Sequence, residues 1–524
     1  MKGPVAIWLF ASLYAMTLAA APTDQRLVDA VKNSDRAAIQ TLLDENVDVN
    51  ATQSDGATAL AWAVYWNDLD IADTLIRAGA DPNLVNDYGV SPLMLACTNN
   101  NVPMVRKLLE ARADANKAQW MGVTPLIFCA RSGSVEGARL LLTHGADPNA
   151  SDSRRGQTAL MWAASRQHPE VVSLLTEHGA DVNAKTQMPD DFKQLEFISY
   201  GVQSRDPTKP DIIRENDVHP DPTSSRGGFT ALMFAARKGN LDIARVLVTA
   251  GAEVNDYSPE YGSSLVVAAA NGHLQFALYL LEQGAVPNVA DRWGFTPLHY
   301  SLWSGIVAIG MSRERIPSDE YWLRESIPEL VKSLLVHGAD PNARVGDGFP
   351  PFNYHRFDRT IAGDMPQLRQ PGATAFLLAA ASFDTNLMTL LVSHGADPKL
   401  ATNEGITPLM VAAGMGRVED ISEDEQKEAL EATILAWELS NDVNATNQDG
   451  RTALAAAAYL GANSIIQFLV DKGADIEAKD RYEQTALSIA QGVPYKINGS
   501  DKRFLNPTAH KSSEELLLSL GANR

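Results

Sequence analysis

Ten histidines and two cysteines are the obvious places in this 524-residue chain to look for chemistry. His219 lies in the stretch DVHPDP and His355 in NYHRFD. Imidazoles flanked by carboxylates form a donor set suited to a divalent transition metal. If the two stretches met, His219, Asp217, Asp221, His355 and Asp358 could close around one ion, although nothing in their spacing enforces a meeting. Cys97 and Cys129 read as two small buried thiols. The motifs that activate nucleophiles or cradle phosphates are missing: there is no GxSxG, Walker loop, HExxH, CxxC or CxxCH. The reading is therefore of a non-catalytic chain with no cofactor and no metal; a metal or small-ligand site around His219 and His355, which could be catalytic, stands as the alternative, and a secreted effector as a minor one.

Other histidines recur at fixed slots. His144, His178, His337 and His394 each open an HGAD segment. Recurrence at one slot points to capping or packing rather than catalysis. The slots belong to a repeating unit whose starts fall at Thr58, Ser91, Thr124, Thr158, Thr230, Ser263, Thr296, Thr374, Thr407, Thr452 and Thr485. Most neighbouring starts are about 33 residues apart, and such a period sets the architecture before any local reading does. Each unit opens on Thr or Ser, a helix N-cap, often followed by Pro, which costs nothing at the first helical position. Leu60, Leu93, Leu126, Leu160, Leu232, Leu298 and Leu409 then point inward, and the pairs Ala163-Ala164, Ala235-Ala236 and Ala412-Ala413 let two helices approach. A second apolar stretch at helical spacing, such as Val171, Leu174 and Leu175, ends at a glycine that accepts left-handed geometry.

The clearest copies, TPLIFCARSGSVEGARLLLTHGADPNA from Thr124 and TALMFAARKGNLDIARVLVTAGAEVNDYS from Thr230, resemble the ankyrin repeat. The resemblance runs from about Leu27 to the C-terminus, inserts excepted. It implies an all-α fold, a solenoid of stacked helix-turn-helix units with β-turn fingers, and it implies protein binding without naming a partner. In this family the contact surface is cupped, made of finger tips and the variable residues that follow the small pair. Carried over, it implies Tyr65, Trp66, Arg131, Arg166, Arg237, Lys238 and Trp303 at the helix ends. In the fingers it implies Tyr88, Trp120, Met121, Arg154, Arg155, Arg226, Phe229, Arg292, Trp293 and Phe295. Arg and aromatic side chains are the types enriched at interface hot spots. Trp62, Phe128, Trp162 and Phe234 occupy a slot inside the first helix and are assigned to the core.

The expected organisation is a signal peptide at 1–21 followed by one solenoid over 22–524. The solenoid divides into an N-terminal cap unit (22–55), repeats (56–184), a finger insert (185–227) and further repeats (228–305). An inter-helix insert (306–326), a second helix and loop (327–343), a second finger insert (344–371), repeats (372–483) and a C-terminal cap unit (484–524) follow. A fourth break lengthens one second helix with an acidic lead-in, Glu419 to Glu428, capped near Ser422. Lys2, the apolar run from Val5 to Leu18 and the small residues Ala19-Ala20-Ala21 have the form of a secretory signal, too short for a good membrane span. Only two cysteines in an exported chain of this length favour a bacterial periplasm or the extracellular space. A net charge of −20, from 44 basic and 64 acidic residues, disfavours nucleic acid and allows cationic partners. The Arg-rich set of contact residues instead favours a protein with an acidic surface.

Overall fold

The computed structural model describes residues 24–187, 227–302, 304–306, 326–346, 371–416, 423–493, 495–496, 504–505 and 509–523. The signal-like segment and most of each insert, with His219 and His355, lie outside the described residues. The chain forms two compact units, Met1–Ala150 and Ser151–Arg524.

In the first unit, helix pairs follow one another: Arg26–Lys32 with Arg36–Asp44, Ala59–Tyr65 with Leu69–Arg77, Pro92–Thr98 with Val102–Glu110, and Pro125–Ser132 with Val135–Thr143. Local chemistry explains their bounds. The Thr58 hydroxyl accepts from Ala61 N at 3.2 Å and that of Ser91 from Met94 N at 3.3 Å. The second helices begin on Asp68, which accepts from Ile71 N at 2.9 Å, and on Asn101, which accepts from Met104 N at 3.1 Å. Each capped donor would otherwise be an orphan. Gly79 ends its helix at φ +95° with nothing near its missing side chain, so conformation rather than space demands glycine there.

The second unit repeats this plan from Ala159–Ser165 to Lys511–Ser519. Its first helices pack on those of neighbouring repeats, and Leu160, Leu232, Leu298 and Leu409 are at most 2 % exposed. The second helices are nine residues long, as in Thr385–Ser393, except Glu423–Ser440 with eighteen. Ser422, expected near its start, lies outside the described residues. Among the described residues, the strands of this unit form short antiparallel pairs, Tyr257–Ser258 with Gly262–Ser263 and Tyr495–Lys496 with Phe504–Leu505.

Adjacent repeats are stitched by asparagine. Asn83 donates to Arg112 O at 3.1 Å and accepts from Asp114 N at 2.7 Å. The stitch crosses the inserts unchanged. Asn183 donates to Gly251 O at 3.2 Å and accepts from Glu253 N at 2.9 Å, and Asn342 donates to Gly395 O at 2.9 Å. Both finger inserts leave from the same stem. Gly228 N donates to Thr186 O, and Gly372 N to Val345 O, each at 2.7 Å. The stack therefore keeps its register on either side of each insert.

One expectation is overturned. Cys97 and Cys129 are not thiols; they form a disulfide between Pro92–Thr98 and Pro125–Ser132, with Cα atoms 4.5 Å apart. The small-residue slots that allow adjacent first helices to approach bring the two Cβ atoms into bridging range. The histidines behave as slot residues. His144 and His178 each place Nδ1 2.8 Å from the carbonyl oxygen four residues earlier. His168 and His510, which the repeat pattern leaves unexplained, start second helices as His273 does. His273 reaches Arg237 O and His510 reaches Tyr459 O, both at 3.1 Å.

Candidate partner-binding surface

In the first unit the exposed large apolar side chains gather at the expected slots. Tyr65 and Trp66 end the helix Ala59–Tyr65 and are 51 % and 54 % exposed, while the finger residues Tyr88 and Trp120 reach 65 % and 70 %. Tyr65 meets Trp62 edge-on at 5.5 Å and Trp66 at 5.0 Å. The Lys32 ammonium sits 4.8 Å from the Trp62 ring centre. Met121 is half-buried and Arg131 is exposed, its guanidinium 5.8 Å from the Phe128 ring.

In the second unit the same slots carry cations. The buried Asp152 carboxylate accepts from Arg154 N at 3.0 Å, Arg155 N at 2.7 Å and Gln157 N at 3.1 Å, folding a tight finger that presents Arg154 to solvent. The Arg166 guanidinium lies 5.8 Å from the Trp162 ring, and that of Arg237 lies 5.4 Å from Phe234. Lys238 and Arg292 are exposed, and Arg292 stands 5.7 Å from Trp293 and 3.9 Å from the Glu260 carboxylate. A guanidinium over a ring is attracted to its quadrupole. A cation beside an aromatic thus recurs at Arg166, Arg237 and Arg292, with Arg237 half-buried.

Two expected anchors are not on it. Phe229 and Phe295 are 1 % and 7 % exposed. Phe229 packs edge-on against Phe234 at 5.1 Å and Tyr261 at 5.2 Å, and Phe295 lies 5.4 Å from Tyr300. Both immediately precede the capping Thr, a slot also filled by buried Ala57, Ala373 and Ile406. That recurring apolar position was the available signal. Conversely, Trp62, Phe128 and Trp162 are half-exposed rather than core, and only Phe234 of that set is fully buried. Their spacing of three or four residues from an Arg carries the pairing in Phe128–Arg131 and Trp162–Arg166. Lys32 comes from the preceding repeat, so no local spacing announces it. Arg226 and Trp303 lie outside the described residues.

Beneath Arg292 sits a buried polar knot. The Asp291 carboxylate accepts from Trp293 N at 2.9 Å, Phe295 N at 3.0 Å and the Tyr300 hydroxyl at 2.6 Å. Burial nonetheless pushes its pKa up to about 6, and nearby Glu260 adds to the rise. His299 is fully buried; it accepts from Thr296 N at Nδ1 at 3.1 Å, and its Nε2 donates to Ala343 O at 3.1 Å. Burial lowers its pKa to about 4. Each group has neighbours inside the fold, which suits holding a finger in shape.

Among the described residues, no group of three or more His, Cys, Asp or Glu side chains is placed to hold a metal ion. The stretches containing Asp217, His219, Asp221, His355 and Asp358 lie outside them. No described helix is long and apolar enough to cross a membrane.

Comparison with known proteins agrees with the architecture. Models of ankyrin repeats match residues 27–119, 67–152, 112–186 and 232–310, and again 435–490. A protein of Danio rerio named as palmitoyltransferase ZDHHC13 is 23% identical over 289 residues, 55% of this chain and 36% of its own length. The 2-5A-dependent ribonuclease of Mus musculus is 35% identical over 94 residues, 18% of this chain and 10% of its own. The neurogenic locus notch homolog protein 1 of the same species is 33% identical over 207 residues, 39% of this chain and 6% of its own. The chain thus spans little more than a third of the longest-matched relative and a tenth or less of the other two. With family matches over more than half its residues and the helix pairs, fingers and asparagine stitches just described, the chain belongs to the ankyrin-repeat family.

Proposed function

We propose that this chain is an exported, non-catalytic scaffold that grips a partner protein with its fingers and first-helix ends, and that the partner meets it with an acidic surface. One observation carries the reading: ring-held cations recur at Arg131, Arg166 and Arg237 on a chain whose net charge is −20. An acidic protein is repelled by most of such a surface and accepted at these cations, which governs orientation and encounter rate more than affinity. In the first unit Trp66 and Trp120 supply apolar anchors of the kind that dominate interfaces. Export is supported by the N-terminal sequence from Lys2 to Ala21 and by a disulfide, a bond that persists in oxidising compartments.

The test is capture of a partner by the full chain, followed by comparison of variants. Arg166→Glu/Arg237→Glu and Trp120→Ala should each weaken binding at least tenfold, about 1.4 kcal/mol. Glu170→Lys, on the exposed side of the second helix Pro169–Glu177, should leave it unchanged. Equal affinities across the set would overturn the assignment of this surface. Intact-mass measurement of native protein still carrying residues 1–20 would overturn export.

A further inference from the structure

The two cysteines of the chain end up in one bond, and their surroundings restrict when that bond can form. Both sulfurs are 0 % exposed. The second helix of the Cys129 repeat runs directly over the Cys129 sulfur: a methyl group added at Gly137 would stand 2.9 Å from Cys129 Sγ and 2.5 Å from Ser134 Oγ. No reagent can approach the bond in that space. The Ser132 hydroxyl donates to Cys97 O at 2.7 Å, a second link between the same two helices. Thr98 and Asn99 follow Cys97 immediately, Arg131 lies two residues beyond Cys129, and all three are exposed. The bond therefore ties the helix ends that display them.

We propose that the first unit is completed by thiol–disulfide exchange with an external disulfide oxidant, small molecule or protein, and that the resulting Cys97–Cys129 cross-link is thereafter sealed in by the fold. One cysteine thiolate attacks a sulfur of the oxidant and expels a thiolate. The other cysteine attacks the mixed disulfide at the protein sulfur and expels the second thiolate. The two cysteine protons pass to solvent, and the two electrons leave with the oxidant, now reduced to thiols. Because neither sulfur is reachable in the closed stack, exchange takes place while the repeats of Pro92–Thr98 and Pro125–Ser132 are still open. The fold then shields the bond from reductants.

The experiment refolds denatured, reduced full-length chain in a glutathione–glutathione disulfide buffer or in dithiothreitol, then counts thiols by alkylation in denaturant and intact mass. The oxidised product should carry no alkylatable thiol. Dithiothreitol should reduce it at least tenfold more slowly in native buffer than in denaturant. The reduced form should show a melting transition lowered by on the order of 10 °C, as expected when a loop of this length is released. Cys97→Ala/Cys129→Ala should melt like the reduced form and ignore dithiothreitol; alanine fills the equivalent slots at Ala163-Ala164 and Ala235-Ala236, so it suits the packing. Two alkylatable thiols after refolding with glutathione disulfide, equal melting of the two wild-type forms, or equally fast reduction in native buffer would each overturn the proposal. These readouts do not depend on partner binding and can fail independently of it.

Discussion

Asp291 and His299 show how the same burial acts in opposite directions on an acid and a base. The carboxyl, raised to about 6, binds its proton more readily in the folded state than in the unfolded chain. Its ionised form therefore costs stability above that value, and stability is regained as pH falls through 6. The imidazole, lowered to about 4, must be neutral in the fold. Stability on its account is lost as pH falls from the ordinary histidine range towards 4. In the wild type the two trends offset between about pH 6.5 and 4. Asp291→Asn removes one of them. Asparagine already serves this turn elsewhere, where Asn86 Oδ1 accepts from Tyr88 N at 3.1 Å and from Val90 N at 2.9 Å. The variant should fold normally at pH 7.5, then lose about 1–3 kcal/mol more than wild type on going to pH 4.5, since each pKa unit corresponds to about 1.4 kcal/mol. Denaturant titrations at the two pH values measure this, and parallel profiles would show that Asp291 is not raised.

Among the elements, those governed by local rules were legible in the sequence. Hydroxyl caps, Pro starts, glycine stops and inward leucines each depend on a few adjacent residues, and they stand where the pattern put them. Leu126, 1 % exposed in Pro125–Ser132, is an example. Leu126→Ala should cost about 2–5 kcal/mol, read as a fall in the denaturation midpoint of the first unit; an unchanged midpoint would mean this helix does not pack as described. What the sequence hid depends on neighbours across repeats. Phe229 is recruited by Tyr261, more than thirty residues on, and Lys32 is drawn to Trp62 from the previous helix pair. The disulfide escaped for the same reason: a separation of 32 residues says nothing about Cα atoms 4.5 Å apart until the stack places them there.

For the whole molecule, the partition into Met1–Ala150 and Ser151–Arg524 bears on cooperativity. Repeats couple mainly to their neighbours, so stability is close to a sum of unit and interface terms. Calorimetry should resolve more than one transition, with a calorimetric enthalpy exceeding the van't Hoff value. Leu126→Ala should move only the transition of the first unit. A single two-state transition that shifts as a whole would contradict this division.

The unbroken asparagine stitch from Asn183 to Gly251, and the shared stem at Thr186–Gly228 and Val345–Gly372, carry a consequence for how such a chain can change. Stack height and chain length are separate variables here. A stem closed by backbone hydrogen bonds tolerates passengers of widely different length, because each doubling of loop length costs only about 0.6 kcal/mol. The fingers thus work as sockets, into which further segments can be grafted by descent or by design while the scaffold beneath them folds as before.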